Sequence, residues 1–118
     1  MQTVDATTYR GKKVRYRAAV RTADLAEGAR VQLWFRVDRK PTAAGEMQMG
    51  AFDNMQDRPI DSADWKHFEI ILPIADDAEK MVVGIFVIGK GKAWFDDARL
   101  EVACLVVDQA YGWLAFLC

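Results

Sequence analysis

The sequence has little of what most active sites require. Its 118 residues include one histidine, His67, and two cysteines, Cys104 and Cys118. A single histidine excludes a His-rich metal site and leaves little for a His-based catalytic triad. There is also no phosphate-binding glycine loop, no Gly-x-Ser-x-Gly elbow and no CxxC pair. We therefore predict a protein that is not an enzyme and carries no cofactor.

Two cysteines are too few for a disulfide framework. Both lie in the apolar C-terminal segment, which favours two reduced thiols in a core or an interface. A bridge between them stays open if that segment forms a hairpin.

An excess of one charge is also missing. The chain has 16 Lys and Arg against 17 Asp and Glu, for a formal net charge of −1. Nucleic-acid binding needs a basic excess or a basic face, so we predict no nucleic-acid partner. No hydrophobic run reaches the ~18 residues of a membrane span, and the opening MQTVDATTYRGKK lacks a signal-peptide pattern. We expect a soluble cytoplasmic protein with no membrane partner.

Over much of the sequence, apolar and polar residues alternate with a period of two. Such alternation is typical of strands with one buried face, and no segment before residue 103 predicts a helix. The candidate strands cover residues 12–21, 30–38, 46–54, 65–74, 81–89 and 93–102. Residues 81–89 are apolar on both faces, which predicts a central strand that is buried on both sides. Gly50 suggests a bulge or a close approach of another part of the backbone. Short strands separated by Gly, Pro and Asp turns predict an all-β fold, an antiparallel jelly-roll-like β-sandwich over residues 1–102.

The outward-facing side chains of the first two strands form an unusual set: Arg15, Arg17, Trp34 and Arg36. Aromatic rings stack on the apolar faces of sugars, and arginines hydrogen-bond their hydroxyls. The set is equally typical of an ordinary sheet face with Arg–Trp stacking, and the residues alone leave both interpretations open. The lone His67 is predicted to lie on the sheet surface, away from Phe68 and Ile70, rather than to act in catalysis.

Adjacent aspartates, Asp96 and Asp97, raise the question of calcium. Neighbouring residues of a strand point to opposite faces, so their side chains do not easily share one ion. We predict no metal site.

Several segments carry a family resemblance: YRGKKVRYRAAVRT, VQLWFRVD, AFDNMQDRPIDSADW, FEIIL and AWFDDARLEV. They resemble the non-catalytic jelly-roll domains of the galactose-binding-like class, which includes many carbohydrate-binding modules. The closest similarity is to a bacterial subgroup with a YRGK opening, a FDNMQDRPI loop followed by DW, and a WFDD-type last strand. The matching positions are 9–12, 52–60, 64–65 and 94–97, and the resemblance spans about residues 2–102.

The resemblance implies a module that binds a carbohydrate on a concave sheet face or a loop edge. We expect the set named above to form that face, with Phe52, Asn54 and Gln56 at its edge. Within the FDNMQDRPI loop, Asn54, Gln56, Asp57 and Arg58 are expected first of all to hydrogen-bond the loop back onto the sheet.

The chain departs from the family pattern at both ends. Domains of this type begin with one or two strands before the position of Gln2, so we expect an N-terminally truncated domain that lacks the usual calcium site. After Val102 the sequence matches nothing in the family, which suggests a rearranged or mobile reading frame such as an integron gene cassette.

The C-terminal segment, residues 103–118, is almost wholly apolar. We expect residues 102–107 to extend the last strand and the whole segment to be ordered. It would either close its own sheet or cross to a second copy, and we favour a homodimer. The alternative function is therefore a structural or assembly protein. The expected interface residues are Leu105, Val107, Trp113, Leu114, Phe116 and Leu117.

Overall fold

The computed structural model describes residues 1–103, together with the backbone of residues 105–108 and 114–117. This part of the chain is almost entirely β-structure. Its helical content is one short 3-10 turn, η1 (Thr7–Tyr9). The strands are β1 (Gln2–Asp5), β2 (Lys13–Ala23), β3 (Arg30–Arg39), β4 (Gln48–Asp53), β5 (Lys66–Pro73), β6 (Ala78–Ile88), β7 (Lys92–Val102), β8 (Leu105–Asp108) and β9 (Leu114–Leu117).

Two antiparallel sheets form a sandwich. The four-stranded sheet has the order β1-β6-β3-β4, and the three-stranded sheet has the order β5-β2-β7. The chain passes back and forth between them, because β2, β5 and β7 alternate in sequence with strands of the other sheet. This confirms the predicted all-β, antiparallel sandwich. None of the described helical residues forms a segment long and apolar enough to cross a bilayer.

The alternating apolar residues of β2 and β3 meet between the sheets. Val14 and Val20 of β2 and Leu33 and Phe35 of β3 are fully buried there, because the inner faces of two stacked sheets exclude water. Tyr16 is buried among them with its ring edge-on to Phe35, at a centroid distance of 6.2 Å. Burial raises the pKa of the Tyr16 phenol to about 12.

A buried hydroxyl needs a hydrogen-bond partner. The Tyr16 hydroxyl donates to the backbone oxygen of Gly84 at 3.2 Å. Because Gly84 lies in β6 of the opposite sheet, this bond links the two sheets across the core.

Two strand details test the sequence predictions. Gly50 is skipped in the register between β3 and β4, where Val37 pairs with Ala51 and Asp38 with Met49. This irregularity confirms the predicted bulge. Strand β6 is central, between β1 and β3, but it is buried on both faces only in its middle, from Met81 to Gly84. Its last residues, Val87 and Ile88, are 43% and 52% exposed, so predicted two-sided burial is wrong for that end.

The C-terminal segment forms a separate hairpin. β8 and β9 pair antiparallel with each other, with Leu105 opposite Leu117. The expectation that residues 102–107 continue the last strand is therefore corrected: β7 ends at Val102. The six expected interface side chains and both cysteines lie outside the described residues, so the interface stays a prediction.

Candidate functional site

The ligand face predicted from the sequence is divided in the structure. Arg15 and Arg17 lie on β2 in the three-stranded sheet, whereas Trp34 and Arg36 lie on β3 in the four-stranded sheet. All four side chains point away from the core, because their strand neighbours face it. The outer faces of two stacked sheets point in opposite directions. The prediction of one shared face is therefore wrong, although each residue was correctly assigned to an outer face.

On the outer face of the four-stranded sheet, Trp34 and Arg36 contact other residues of the protein. The Trp34 indole lies over Gly84, so closely that a Cβ added there would be 2.6 Å from its Nε1. Arg36 is held by Asp38 of its own strand, with Nε–Oδ1 and Nη2–Oδ2 distances of 2.8 and 3.1 Å. Phe52 stands opposite Arg36 in the register and is 46% exposed. This leaves Phe52 as the most open of the three.

The remaining two predicted residues, Asn54 and Gln56, belong to the loop that follows β4. Their backbone oxygens accept hydrogen bonds from β3: Gln32 Nε2 donates to Asn54 at 2.6 Å, and the Arg30 guanidinium donates to Gln56. The Asn54 side chain accepts from the Gln56 amide at 3.1 Å, which closes a local turn. These contacts assign both residues a structural role in holding the loop.

The same loop is anchored in the core by its apolar residues. Met55 and Ile60 are 3% and 1% exposed, and the Ile60 amide donates to the Val31 oxygen at 2.8 Å. Asp53 and Arg58 close the loop through an ion pair of 2.5 Å. The hydrogen bond from Arg58 is the main reason that the pKa of the Asp53 carboxyl lies below its ordinary value. The FDNMQDRPI segment is therefore a folding element.

The outer face of the three-stranded sheet carries a different cluster. The Arg21 guanidinium lies 4.1 Å from the ring centroid of Trp94 and 5.8 Å from that of Trp65. Trp94 stands opposite Arg21 on β7, and Trp65 immediately precedes β5 on the other side. The two indoles remain 37% and 48% exposed. We call Trp65, Arg21 and Trp94 the tryptophan–arginine face.

Ion pairs continue along this face. Arg15 Nε lies 2.9 Å from Glu69 Oε2, although without hydrogen-bond geometry, and Arg15 Nη1 lies 3.4 Å from Glu101. Such pairs on β2 and its neighbours cover the end of the sheet away from the tryptophans. They are exposed, so they contribute little to stability.

A second group surrounds Asp97. Its carboxylate lies 3.2 Å from His67 Nε2 and 2.9 Å from Arg99 Nε. The hydrogen bond to His67, followed by that to Arg99, holds the pKa of Asp97 below its ordinary value. His67 lies on the exposed sheet surface, as predicted.

Asp96 and Asp97 do not form a cation cage. The Asp96 carboxylate accepts the Asp97 amide at 2.8 Å, and Asp97 is engaged as described. Within residues 1–103, no three His, Cys, Asp or Glu side chains are grouped to hold a metal ion.

The tryptophan–arginine face was not predicted from the sequence. One signal was available, because Arg21 continues the outward alternation of Arg15 and Arg17 along β2. The other two members are far away in sequence, and only the pairing of β2 with both β5 and β7 brings Trp65 and Trp94 to its sides.

Comparison with known proteins gives one informative relative. No family model and no solved structure matches the chain. The chain is 32% identical over 102 residues to YbfP of Bacillus subtilis (strain 168), an uncharacterized HTH-type transcriptional regulator. The match covers 86% of this chain but 32% of the regulator. The chain thus spans about a third of the length of the curated relative that it matches.

Proposed function

We propose that the protein is a non-catalytic binding module for a glycan or a similar polar ligand, and that the ligand lies on the tryptophan–arginine face. The observation that carries the proposal is the pair of half-exposed indoles, Trp65 and Trp94, on either side of the Arg21 guanidinium. Indole faces stack on the C–H faces of sugar rings, and guanidinium groups donate several hydrogen bonds to oxygens.

This proposal retains the carbohydrate-binding function expected from the family resemblance and moves its location. Arg15 and Arg17 stay at the margin of the new face, since they lie on the same side of β2 as Arg21. Trp34 and Arg36 are left out, because they lie on the opposite side of the sandwich.

Similarity to a helix-turn-helix regulator does not by itself imply that this chain binds DNA. A helix-turn-helix unit consists of two helices joined by a short turn. Residues 1–103 of this chain contain one three-residue 3-10 turn, Thr7–Tyr9, and are otherwise strands and loops. We infer that the region shared with the regulator is an accessory domain outside its helix-turn-helix.

The proposal is tested by screening the full chain on an array of neutral and acidic glycans, with Trp94→Ala as the diagnostic variant. Losing one stacking ring should weaken binding by about tenfold, the equivalent of roughly 1.4 kcal/mol. The matched control is Phe52→Ala, because Phe52 is comparably exposed on the other outer face. It should bind like the unaltered protein. Thermal unfolding of both variants verifies that they are folded.

Two results would count against the module. If no glycan is bound by the unaltered protein, the carbohydrate proposal fails. If Phe52→Ala weakens binding as much as Trp94→Ala, the ligand does not lie on the tryptophan–arginine face.

Assembly is the second candidate function, and the free edge of β7 favours it. Among the described strands, β7 pairs with β2 and with no strand on its other side. Phe95 pairs with the core residue Val20 and shares its inward side of the sheet, yet it remains 40% exposed. It lines an open groove between the sheets together with Tyr16, Val83 and Ala98. An unpaired edge beside an apolar groove is a template for another strand.

A second copy of the chain fits this edge, because two β7 strands can pair antiparallel about a two-fold axis. Sedimentation of the full chain tests the idea. A dimer that dissociates when Phe95 is replaced by Glu would support it, whereas a monomeric unaltered protein would exclude it. The control is Phe52→Glu, which places the same charge on an exposed ring far from β7.

A further inference from the structure

We propose that the ligand of the tryptophan–arginine face is an acidic saccharide, one that carries carboxylate groups. This inference rests on the proposed function and adds the chemical class of the ligand. It follows from how the charges on the outer face of the three-stranded sheet are paired.

Four arginines project from this face, and protein carboxylates neutralise two of them. Arg15 lies against Glu69 and Glu101, and Arg99 lies against Asp97. These carboxylates are thereby engaged. The two arginines that remain are Arg17 and Arg21, for which the described part of the chain shows no ion pair and no side-chain hydrogen bond.

Arg17 stands beside a carboxylate in the sheet but does not form an ion pair with it. In the register it stands between Glu69 on β5 and Arg99 on β7. The Glu69 carboxylate, however, lies against Arg15. The neighbour on the other side is a cation, so Arg17 has an unmet demand for negative charge.

Arg21 is both unpaired and held in place. Its Nε is buried without an acceptor, and within residues 1–103 no carboxylate forms an ion pair with it. Stacking on Trp94 and Trp65 restricts the guanidinium before any ligand arrives, which lowers the conformational entropy lost on binding. A planar, oriented guanidinium is well suited to donate two parallel hydrogen bonds to one carboxylate.

The spacing of the two arginines indicates the size of the ligand. Arg17 and Arg21 are four residues apart on one face of β2, or about 13 Å at a strand rise of ~3.3 Å per residue. Ala19 lies between them on the same face, and its small side chain leaves a shallow floor. One sugar ring cannot span this distance. We therefore expect an oligosaccharide whose rings lie along β2 and whose carboxylates reach both arginines.

The experiment compares each acidic glycan with its own methyl ester, so that length, linkage and ring shape are constant. The full chain is screened on an array of carboxylate-bearing glycans printed beside their esters, and the best pair is measured by calorimetry. The acid should bind about tenfold more tightly than the ester, because a charged hydrogen-bonded pair replaces a neutral one. Added salt should weaken binding of the acid more than binding of the ester.

Two variants locate the effect. Arg21→Gln should remove the preference for the acid while stacking still allows the ester to bind. Arg36→Gln is the matched control, because Arg36 lies on the opposite outer face with its own partner, Asp38. It should keep the full preference. Arg17→Gln, at the other end of the face, should reduce the preference and serves as a second test if Arg21→Gln does not fold.

The outcomes separate this inference from the function on which it rests. If esters bind as tightly as acids, the ligand is not selected for charge, although the binding module stands. If an excess of acetate displaces the acid completely, the face is a simple anion site and the saccharide inference fails. If no glycan of either kind binds, both proposals fail together.

Discussion

The contact between Trp34 and Gly84 allows a sharp test of why this tryptophan is present. Gly84 faces Trp34 across the β3–β6 pair. A Cβ at Gly84 would be 2.6 to 2.8 Å from three atoms of the indole. That is far closer than carbon and nitrogen atoms approach without bonding, at about 3.5 Å. Gly84→Ala should therefore push the indole off the strand.

The size of the effect is the difference between two contributions. Overpacking a tight site costs about 1–3 kcal/mol. Replacing glycine restricts the unfolded chain, which returns about 0.4–1 kcal/mol. We expect Gly84→Ala to lower the free energy of unfolding by roughly 1–2 kcal/mol.

Removing the indole should remove the penalty. In a Trp34→Ala background nothing opposes the new methyl group, so Gly84→Ala should be neutral or slightly stabilising. Urea unfolding of the four proteins, followed by circular dichroism, gives the coupling free energy. For residues in direct contact, this coupling free energy should be about 1–3 kcal/mol. The comparison requires that the four proteins have the same urea m-value.

The contact between Trp34 and Gly84 is contradicted if Gly84→Ala stabilises the otherwise unaltered protein. It is also contradicted if Gly84→Ala lowers the free energy of unfolding equally with and without the indole. Either result would mean that Trp34 does not rest on Gly84, and Trp34 would again be available as a ligand platform.

Four further predictions concern the loop after β4, acid stability, metal and the C-terminal segment. Ile60→Ala should lower the free energy of unfolding by about 2–5 kcal/mol in urea, since Ile60 fixes its loop in the core. The pKa of Asp53 is lowered from 3.8, so its pairing with Arg58 stabilises the protein above that pH and is lost as the pH falls below it. In Asp53→Asn the free energy of unfolding should therefore fall less steeply below about pH 4 than in the unaltered protein. The same pH dependence in both proteins would contradict this. Excess EDTA should leave the melting temperature unchanged, whereas a drop of many degrees would show that Asp96 or Asp97 belongs to a working calcium site. A chain ending at Val102 should be insoluble or poorly folded. If it is soluble, monomeric and as stable as the full chain, the C-terminal segment is dispensable.

Much of the fold could be predicted because strand patterning is local. Successive side chains of a strand point to opposite faces, so Arg15 and Arg17 were assigned to an outer face without any knowledge of their neighbours. The Gly50 bulge was also predictable from a local signal, because a glycine inside a strand often marks a bulge. Strand β1 was missed, since Gln2–Asp5 is too short to show a period and forms only by pairing with β6.

Local alternation in the sequence is enough to predict the longer strands and the apolar side of each. Which outer faces are shared depends on the tertiary structure. The loop between β2 and β3 carries the chain from one sheet to the other, and the sequence does not record that crossing. As a result Arg17 and Trp34 face opposite ways, although they lie on consecutive strands. Arg21 meets Trp65 and Trp94 because β5 and β7 flank β2 in space. A side chain's orientation on its strand follows from the local backbone, whereas its neighbours across the sheet depend on contacts between residues distant in sequence.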